Sequence, residues 1–512
     1  MPAAVLARTP HPAAVAVFPP RPAPEAAADR LARWRGAFPP LDALIRSGAA
    51  PGAAMRRLGL TFWAAGETHA AVEALDEAVT LAPEDGAAWL DLGFARRAAG
   101  LPREALEAFE RAAELTPQAA RVWLALGLAA KELGAAARAE AALEQAAALD
   151  PDLDDAAYAL GLICFEARRY AEAALRWRPL AARGYRAAGL ALGLGQCQFF
   201  LGEFGAAAQS LAAHLKAAPD DGTIARRLAL VAFLDGAIRG GPEGGEAAYA
   251  RAGGAAPLKG VARSAVALLS AYGYTETALA VARAYLADEA DDPVLRYHLA
   301  ALCAEPTERA PAEYVAAYFD RFAETFDEQM FEVLHYCGPR KLSELVVATG
   351  LPGGRTLDLG CGTGAAGPLL RPRATRLSGV DLSQNMLAKA AARGLYDELA
   401  QADMIDYLAE RRAAFDLVFA ADSLIYFGDL EPIIAVLAQA LAPGGGLALT
   451  LEMTSKAPYE LTSSGRFAHA PRALIALAAA HGLGLRASRR AFLRLEAHRR
   501  VYGALIVLER RG

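Results

Sequence analysis

Thr356-Leu357-Asp358-Leu359-Gly360-Cys361-Gly362-Thr363-Gly364 is the stretch that decides the fold: an apolar run ends in an acid and passes directly into alternating glycines. The apolar part reads as a buried strand. Glycine admits positive φ and lets backbone pass close beneath a ligand, and a helix starting beyond the loop offers unpaired N–H groups. Outward from this loop, short apolar runs alternate with helical segments, the pattern of a parallel sheet with crossover helices. Strands are expected at residues 355–360, 376–382, 398–403, 415–422 and 445–453, with a final pair at 483–495 and 501–509.

Each strand end carries a chemically suitable residue. Val380-Asp381-Leu382 ends the second strand, where a carboxylate can accept hydrogen bonds from the two hydroxyls of a ribose. Gln401-Ala402-Asp403-Met404 ends the third, and Ala421-Asp422 the fourth. Four strand ends in succession line one crevice. Gly360, Gly362 and Ala365 also satisfy a dinucleotide fingerprint with Asp381 suitably spaced, so a nicotinamide enzyme is the structural rival. Three features favour another reading: Asp358 two residues before the first glycine, the FDLVFAAD strand followed by a helix, and Ala442-Pro443-Gly444-Gly445 leading into the fifth strand.

Together these features resemble the class I S-adenosylmethionine-dependent methyltransferases over residues 311–512. The resemblance implies an α/β, Rossmann-like domain whose seven-stranded, mostly parallel sheet carries an antiparallel edge hairpin. It also implies a cofactor, S-adenosylmethionine, left as S-adenosylhomocysteine, and no metal. Asp358, Gly360, Gly362 and Gly364 would hold the amino-acid moiety, and Asp381, with Leu382 and Met386, the ribose side. Asp403 would meet the exocyclic amine of adenine, Met404 would pack on its ring, and Ala421 would lie beneath the sulfonium. Tyr318-Phe319-Asp320-Arg321-Phe322-Ala323-Glu324-Thr325-Phe326-Asp327, with GVDLSQNMLAKAAARGLYDEL, FAADSLIYFGDL and GRFAHAPRAL, looks like the bacterial methyltransferases that carry tetratricopeptide repeats. In those enzymes an aromatic helix ahead of the first strand covers the cofactor, which nominates Tyr318 or Phe322 as a lid.

An activated methyl donor asks the protein mainly to align donor and acceptor, with a general base needed only for a protonated acceptor. Residues after the fourth and fifth strands should line the acceptor mouth: Asp422, Tyr426, Glu452, Tyr459, Arg466 and His469. His469 is the candidate base and Arg466 the candidate anchor for an anionic acceptor. Cys361 serves the turn rather than nucleophilic chemistry. Arg486, Arg489, Arg490, Arg494, Arg499 and Arg500 form a local basic cluster, expected to be solvated; no aromatic stacking platform accompanies it.

Ahead of this domain the sequence repeats. Leu-Gly recurs at Leu58-Gly59, Leu92-Gly93, Leu126-Gly127, Leu160-Gly161 and Leu194-Gly195, with glycines 34 residues apart. Twelve residues after each stands Ala71, Ala105, Ala139, Ala173 or Ala207, and a bulky residue follows at Leu75, Phe109, Leu143, Trp177 or Leu211. Small residues let two antiparallel helices approach, and the bulky one fills the gap beyond. Gly66, Gly100, Gly134 and Gly202 mark the interhelical turns, and Pro83, Pro117, Pro151 and Pro219 end units. With Trp89 and Trp123, the pattern resembles the tetratricopeptide repeat, which implies an all-α solenoid with a groove for a protein or peptide.

The expected organisation is a Pro/Ala-rich disordered arm (1–30), an N-terminal helical segment (31–53), five repeats (54–220), divergent helical repeats around a flexible Gly-rich insertion (221–310) and the catalytic domain (311–512). A formal charge of −5 gives no general pull toward nucleic acid or anionic membrane. Five scattered cysteines without CxxC spacing suggest neither a disulfide framework nor a zinc site, and no membrane span is seen, so a cytoplasmic location is expected. Three functions follow: methylation of N or O on a protein or peptide recruited by the repeats; methylation of a small molecule with the repeats used for assembly; or a non-catalytic scaffold.

Overall fold

A computed structural model describes residues 27–288, 292–456, 458–462, 464–496 and 499–511. The chain divides into two compact units at Pro219 and Asp220. Most of the expected N-terminal arm lies outside the described residues; its last four belong to the helix Ala27–Ala37.

In the first unit the helices Ala27–Ala37 and Pro39–Arg46 precede five helix pairs, from Pro51–Ala64 with Thr68–Leu81 to Leu190–Phe200 with Phe204–Ala217. The 34-residue register has a direct packing cause. A Cβ built on Gly59, Gly93, Gly127 or Gly161 would lie 2.6, 2.5, 2.6 or 2.1 Å from the side chain of Leu75, Phe109, Leu143 or Trp177, so each glycine makes room for the bulky residue of its own unit. Trp89 and Trp123 donate Nε1–H to the carbonyls of Pro83 and Pro117 at 3.0 and 2.9 Å, tying each unit to the turn before it. Four of the interhelical turns place glycine at positive φ; the fourth pair has Arg168 there, at φ 59°. Alanine normally gains up to about 1 kcal/mol over glycine inside a helix. Gly161→Ala is expected to do the reverse and cost about 1–3 kcal/mol through overpacking against Trp177. An unaltered urea midpoint for this variant, followed by tryptophan fluorescence, would refute the packing account.

In the second unit, the helices Gly222–Arg251, Leu258–Ala271, Thr275–Asp288 and Pro293–Cys303 precede an α/β sheet. The Gly-rich stretch 240–254 is not the flexible insertion expected of it. Gly222–Arg251 is two helices broken at Gly240 and Gly241, with Pro242 opening the second. An added Cβ at Gly236 would sit 2.4 Å from the Gly244 carbonyl oxygen, so these glycines serve close helix contact rather than mobility.

The sheet strands are β1 Gly354–Leu359, β2 Ala374–Asp381, β3 Glu398–Gln401, β4 Phe415–Ala420, β5 Leu441–Met453, β6 Tyr459–Leu461, β7 Phe467–His469, β8 Leu483–Glu496 and β9 Arg499–Arg510. β3, β2, β1, β4 and β5 run parallel in that spatial order; β9 joins β5 antiparallel and β8 joins β9 antiparallel. These seven are the expected sheet with its edge hairpin. The short β6 and β7 were not anticipated; β7 continues the β5 edge at Glu452 and Met453, and β6 pairs with β7. Both faces of the sheet are covered, by cores including Leu357, Val418, Leu449 and Ile506 on one side and Leu342, Leu377, Phe419 and Val507 on the other. That coverage explains why the parallel strands read as continuous apolar runs. Among the described residues no helix is long and apolar enough to cross a membrane.

Candidate active site

β1 delivers Asp358 to the interior and ends in Gly360, Gly362 and Gly364, all at positive φ (75°, 53° and 76°). A Cβ on Gly360 would press on Ser423 Cβ at 2.6 Å and Met404 Cε at 2.8 Å, and one on Gly364 on Tyr396 at 2.9 Å; at Gly362 nothing lies within 4 Å. Two glycines thus serve packing, and the third faces open space. Asp381, at the end of β2, accepts from Gly362 N–H through Oδ2 and Ser383 N–H through Oδ1, both at 2.9 Å. This carboxylate therefore holds the glycine loop in place.

Asp358 is 3% exposed, and among the described residues only Tyr396 donates to its carboxylate, O–H to Oδ2 at 2.6 Å. Burial pushes its carboxyl up to about 7, against the lowering effect of that hydrogen bond. Burial also raises Asp381, in part offset by its backbone donors. The folded Asp358 binds its proton more tightly than the unfolded one, so its contribution to stability is complete below the ordinary value of 3.8 and is lost as pH rises through about 7. A cation held beside it reverses that preference. Affinity for S-adenosylhomocysteine is expected to be roughly tenfold weaker at pH 6 than at pH 8, with proton release on binding at pH 6. Calorimetry in buffers of different ionisation heat reads both quantities, and a flat profile would exclude a cation at Asp358.

The other sequence-nominated cofactor residues divide. Met404 lies over Gly360, and Leu382 and Ala421 are half-buried at their strand ends. Met386 is wholly buried on the helix Gln384–Ala392 and presents no surface, which corrects its expected cofactor contact. Asp403 caps the helix Met404–Ala409 by accepting from Ile405 N–H at 2.9 Å, and it pairs with Arg309, whose guanidinium stacks over Phe427. An adenine amine at Asp403 would share that carboxylate with Arg309. Tyr318 is 42% exposed on the helix Ala312–Phe322 with Tyr314, Phe319 and Phe322 as ring neighbours, and it lines a cavity on the side of this helix away from the crevice, which corrects its expected place over the cofactor. The segment is pinned from its polar side: Asp320 accepts from Ser383 Oγ at 2.6 Å, and Asp327 accepts from Thr363 Oγ1 at 2.5 Å and pairs with Arg393.

The acceptor-mouth nominees fall into two groups. Asp422, Glu452 and Arg466 share one charge network with Arg494: Arg494 donates to Asp422 Oδ2 at 2.8 Å and to Glu452, and Arg466 donates to Glu452 at 2.9 Å. Asp422 sits at φ 54° and exchanges hydrogen bonds with Thr450, 2.7 Å from its N–H and 2.6 Å to its Oδ1. Arg494 is 4% exposed, which removes it from the expected solvated cluster; Arg490 lies over Tyr502, and the Arg499 side chain is outside the described residues. Tyr426 and Tyr459 instead join an aromatic core with Tyr297 and Phe467, beside His469. His469 is 2% exposed, its Nε2–H donates to the Gly428 carbonyl at 3.2 Å, and burial lowers its pKa. It is a neutral interior residue, which corrects its place as the accessible base. Burial likewise raises the Cys361 thiol well above its usual range. Sequence reasoning assigned no role in the site to Tyr396, Arg309, Asp320 or Asp327 and placed Arg494 in a solvated cluster; Tyr396, Asp320 and Asp327 stood in motifs quoted for the family resemblance, of which only Tyr318 and Phe322 were given a role.

Residues 357–447 match a family model described as a methyltransferase domain. Residues 24–86, 56–120, 90–154, 124–177 and 158–222 match a tetratricopeptide repeat. Trans-aconitate 2-methyltransferase of Paracidovorax citrulli is 39% identical over 117 residues, 22% of this chain and 45% of that protein. A ubiquinone biosynthesis O-methyltransferase of Hahella chejuensis is 30% identical over 147 residues, covering 28% and 62%. A malonyl-acyl-carrier protein O-methyltransferase of Alcanivorax borkumensis is 34% identical over 173 residues, covering 32% and 57%. The chain spans about half the length of these relatives. The chain thus joins a stretch that matches the tetratricopeptide repeat to one that matches a methyltransferase domain.

Proposed function

We propose that the protein is an S-adenosylmethionine-dependent methyltransferase acting on nitrogen or oxygen of a protein or peptide recruited by the repeat groove. One arrangement carries the reading: a glycine loop with Gly362 facing open space, flanked by Asp358 and Asp381 from neighbouring strand ends. The donor set fits the cofactor. Asp358 suits an ammonium, Asp381 suits ribose hydroxyls, and main-chain amides at the loop suit a carboxylate. The bound cofactor would supply a methyl group already activated by positive sulfur. The chain's own part is then to exclude water and align the acceptor. With His469 enclosed, no accessible histidine base stands among the nominated residues, which favours an acceptor that arrives with a free lone pair.

A second reading, a small-molecule acceptor with the repeats used for assembly, is favoured by the relatives' printed substrates and by cavities within the second unit. Calorimetry with S-adenosylmethionine and S-adenosylhomocysteine tests the first step, with NADH as control. Labelled-methyl transfer into size-fractionated lysate tests the second: label in protein supports the leading reading, and label in small molecules alone replaces it. Uptake of NADH without affinity for either methyl compound would end both.

A further inference from the structure

The helix Ala312–Phe322 has two working faces at helical spacing. On one, Phe319 packs edge-on against Tyr426 with centroids 5.7 Å apart, and Asp320 binds Ser383, so this side rests on the carboxyl ends of β4 and β2. The other, Tyr314, Ala317, Tyr318 and Arg321, lines a cavity of about 970 Å³ walled also by the helices Leu258–Ala271 and Pro293–Cys303. A second cavity of about 680 Å³, between Gly222–Arg251 and Leu258–Ala271, shares Leu230, Gly260, Arg263 and Ser264 with the first, so the two border one another. Their size is that of a small-molecule site.

Charge along these walls is one-sided. Among the described residues, Arg226, Lys259, Arg263 and Arg321 line them with one acid, Glu313. Behind the wall, the wholly buried Asp292 is shared by Arg263 at 2.9 Å and Lys259 at 4.0 Å. Arg226 donates to Thr223 and Arg321 to the Ala317 carbonyl, and neither meets a carboxylate among the described residues. His298, also in the wall, is lowered to about 4 by burial and adds no charge at neutral pH. The remaining lining near the crevice is aromatic: Tyr314, Tyr318 and Phe322.

We propose that the two bordering cavities together bind an amphipathic anion: a carboxylate or phosphate head among Arg226, Lys259 and Arg263, and an apolar acyl or aryl body against Tyr314, Tyr318 and Phe322. Cations gathered along a concave wall attract an acidic head more strongly than the same charges scattered on a flat surface, and the aromatic end offers the body apolar contact. The binding stands apart from methyl transfer. The aromatic helix stands between this cavity and the cofactor crevice.

The test is calorimetry on the full chain with decanoate, decyl phosphate and decylamine below their micellar concentrations. Both anions should bind and decylamine should not; the tighter of the two identifies the preferred head. The double variant Arg226→Ala, Arg321→Ala removes charges that hold no buried acid, and should weaken anion binding roughly tenfold or more. Gly260→Phe is the steric test: an added Cβ there meets nothing within 4 Å, and the residue borders both cavities, so the ring should plug their junction and abolish binding. Equal binding of decylamine, or wild-type anion affinity in Gly260→Phe, overturns the proposal. S-adenosylhomocysteine titrated in parallel keeps the questions separate, since its affinity should be unchanged in both variants.

Discussion

Asp358→Asn is expected to weaken binding of S-adenosylmethionine by about 2–5 kcal/mol, roughly 30-fold or more, while raising stability above neutral pH. The substitution keeps the shape of a side chain that is 3% exposed and removes only its charge. In the free protein that charge is a cost, because burial raises the carboxyl to about 7. Neutralising it should stabilise the fold by about 1–3 kcal/mol at pH 8, and the gain should shrink as pH falls and vanish only below the ordinary value of 3.8, where the folded and the unfolded wild-type group both hold their proton. With a cationic ligand the balance inverts, since an ammonium beside a neutral amide loses its counter-charge. Calorimetry and thermal unfolding at pH 5 and pH 8 read both effects. Undiminished affinity at pH 8 would remove Asp358 from the cofactor site.

Arg494→Met should cost about 3–5 kcal/mol of stability, the largest structural effect expected of any substitution near the crevice. Arg494 pairs with both Asp422 and Glu452, each half-buried, so its loss leaves Asp422 without that cation and Glu452 to Arg466, and two carboxylates lose the charge they share. Asp422 at φ 54° would then be held chiefly by Thr450. Adding Asp422→Asn and Glu452→Gln to Arg494→Met removes the repulsion and should restore most of the loss, which a merely bulky core arginine would not show. Chemical denaturation of the single and triple variants decides it: equal midpoints for the two would mean that charge pairing is not what Arg494 contributes.

The glycine loop and the repeat register were legible because both rest on local chemistry. Positive φ at Gly360 and Gly364, and a missing Cβ opposite Trp177, follow from what stands at those positions. Arg494 was not legible. It follows Leu493 on β8, both side chains are buried, and alternation forbids that in a regular strand. A register shift between Phe492 and Arg494 turns the arginine inward, and such a shift leaves no mark in composition or spacing. The stretch 240–254 failed for a related reason, since glycines that loosen a linker and glycines that let helices touch read alike.

The repeat unit, the seven main strands and the glycine loop that ends β1 were legible in the sequence alone, because periodicity and backbone permissiveness are properties of neighbours along the chain. Tertiary structure alone decided which charges are hidden and paired: Arg494 with Asp422 and Glu452, Arg309 with Asp403, and His469 sealed under Tyr459. Those outcomes depend on solvent exclusion and on contacts between residues tens of positions apart, and burial of a polar group is set by what packs over it, not by what precedes it in the chain.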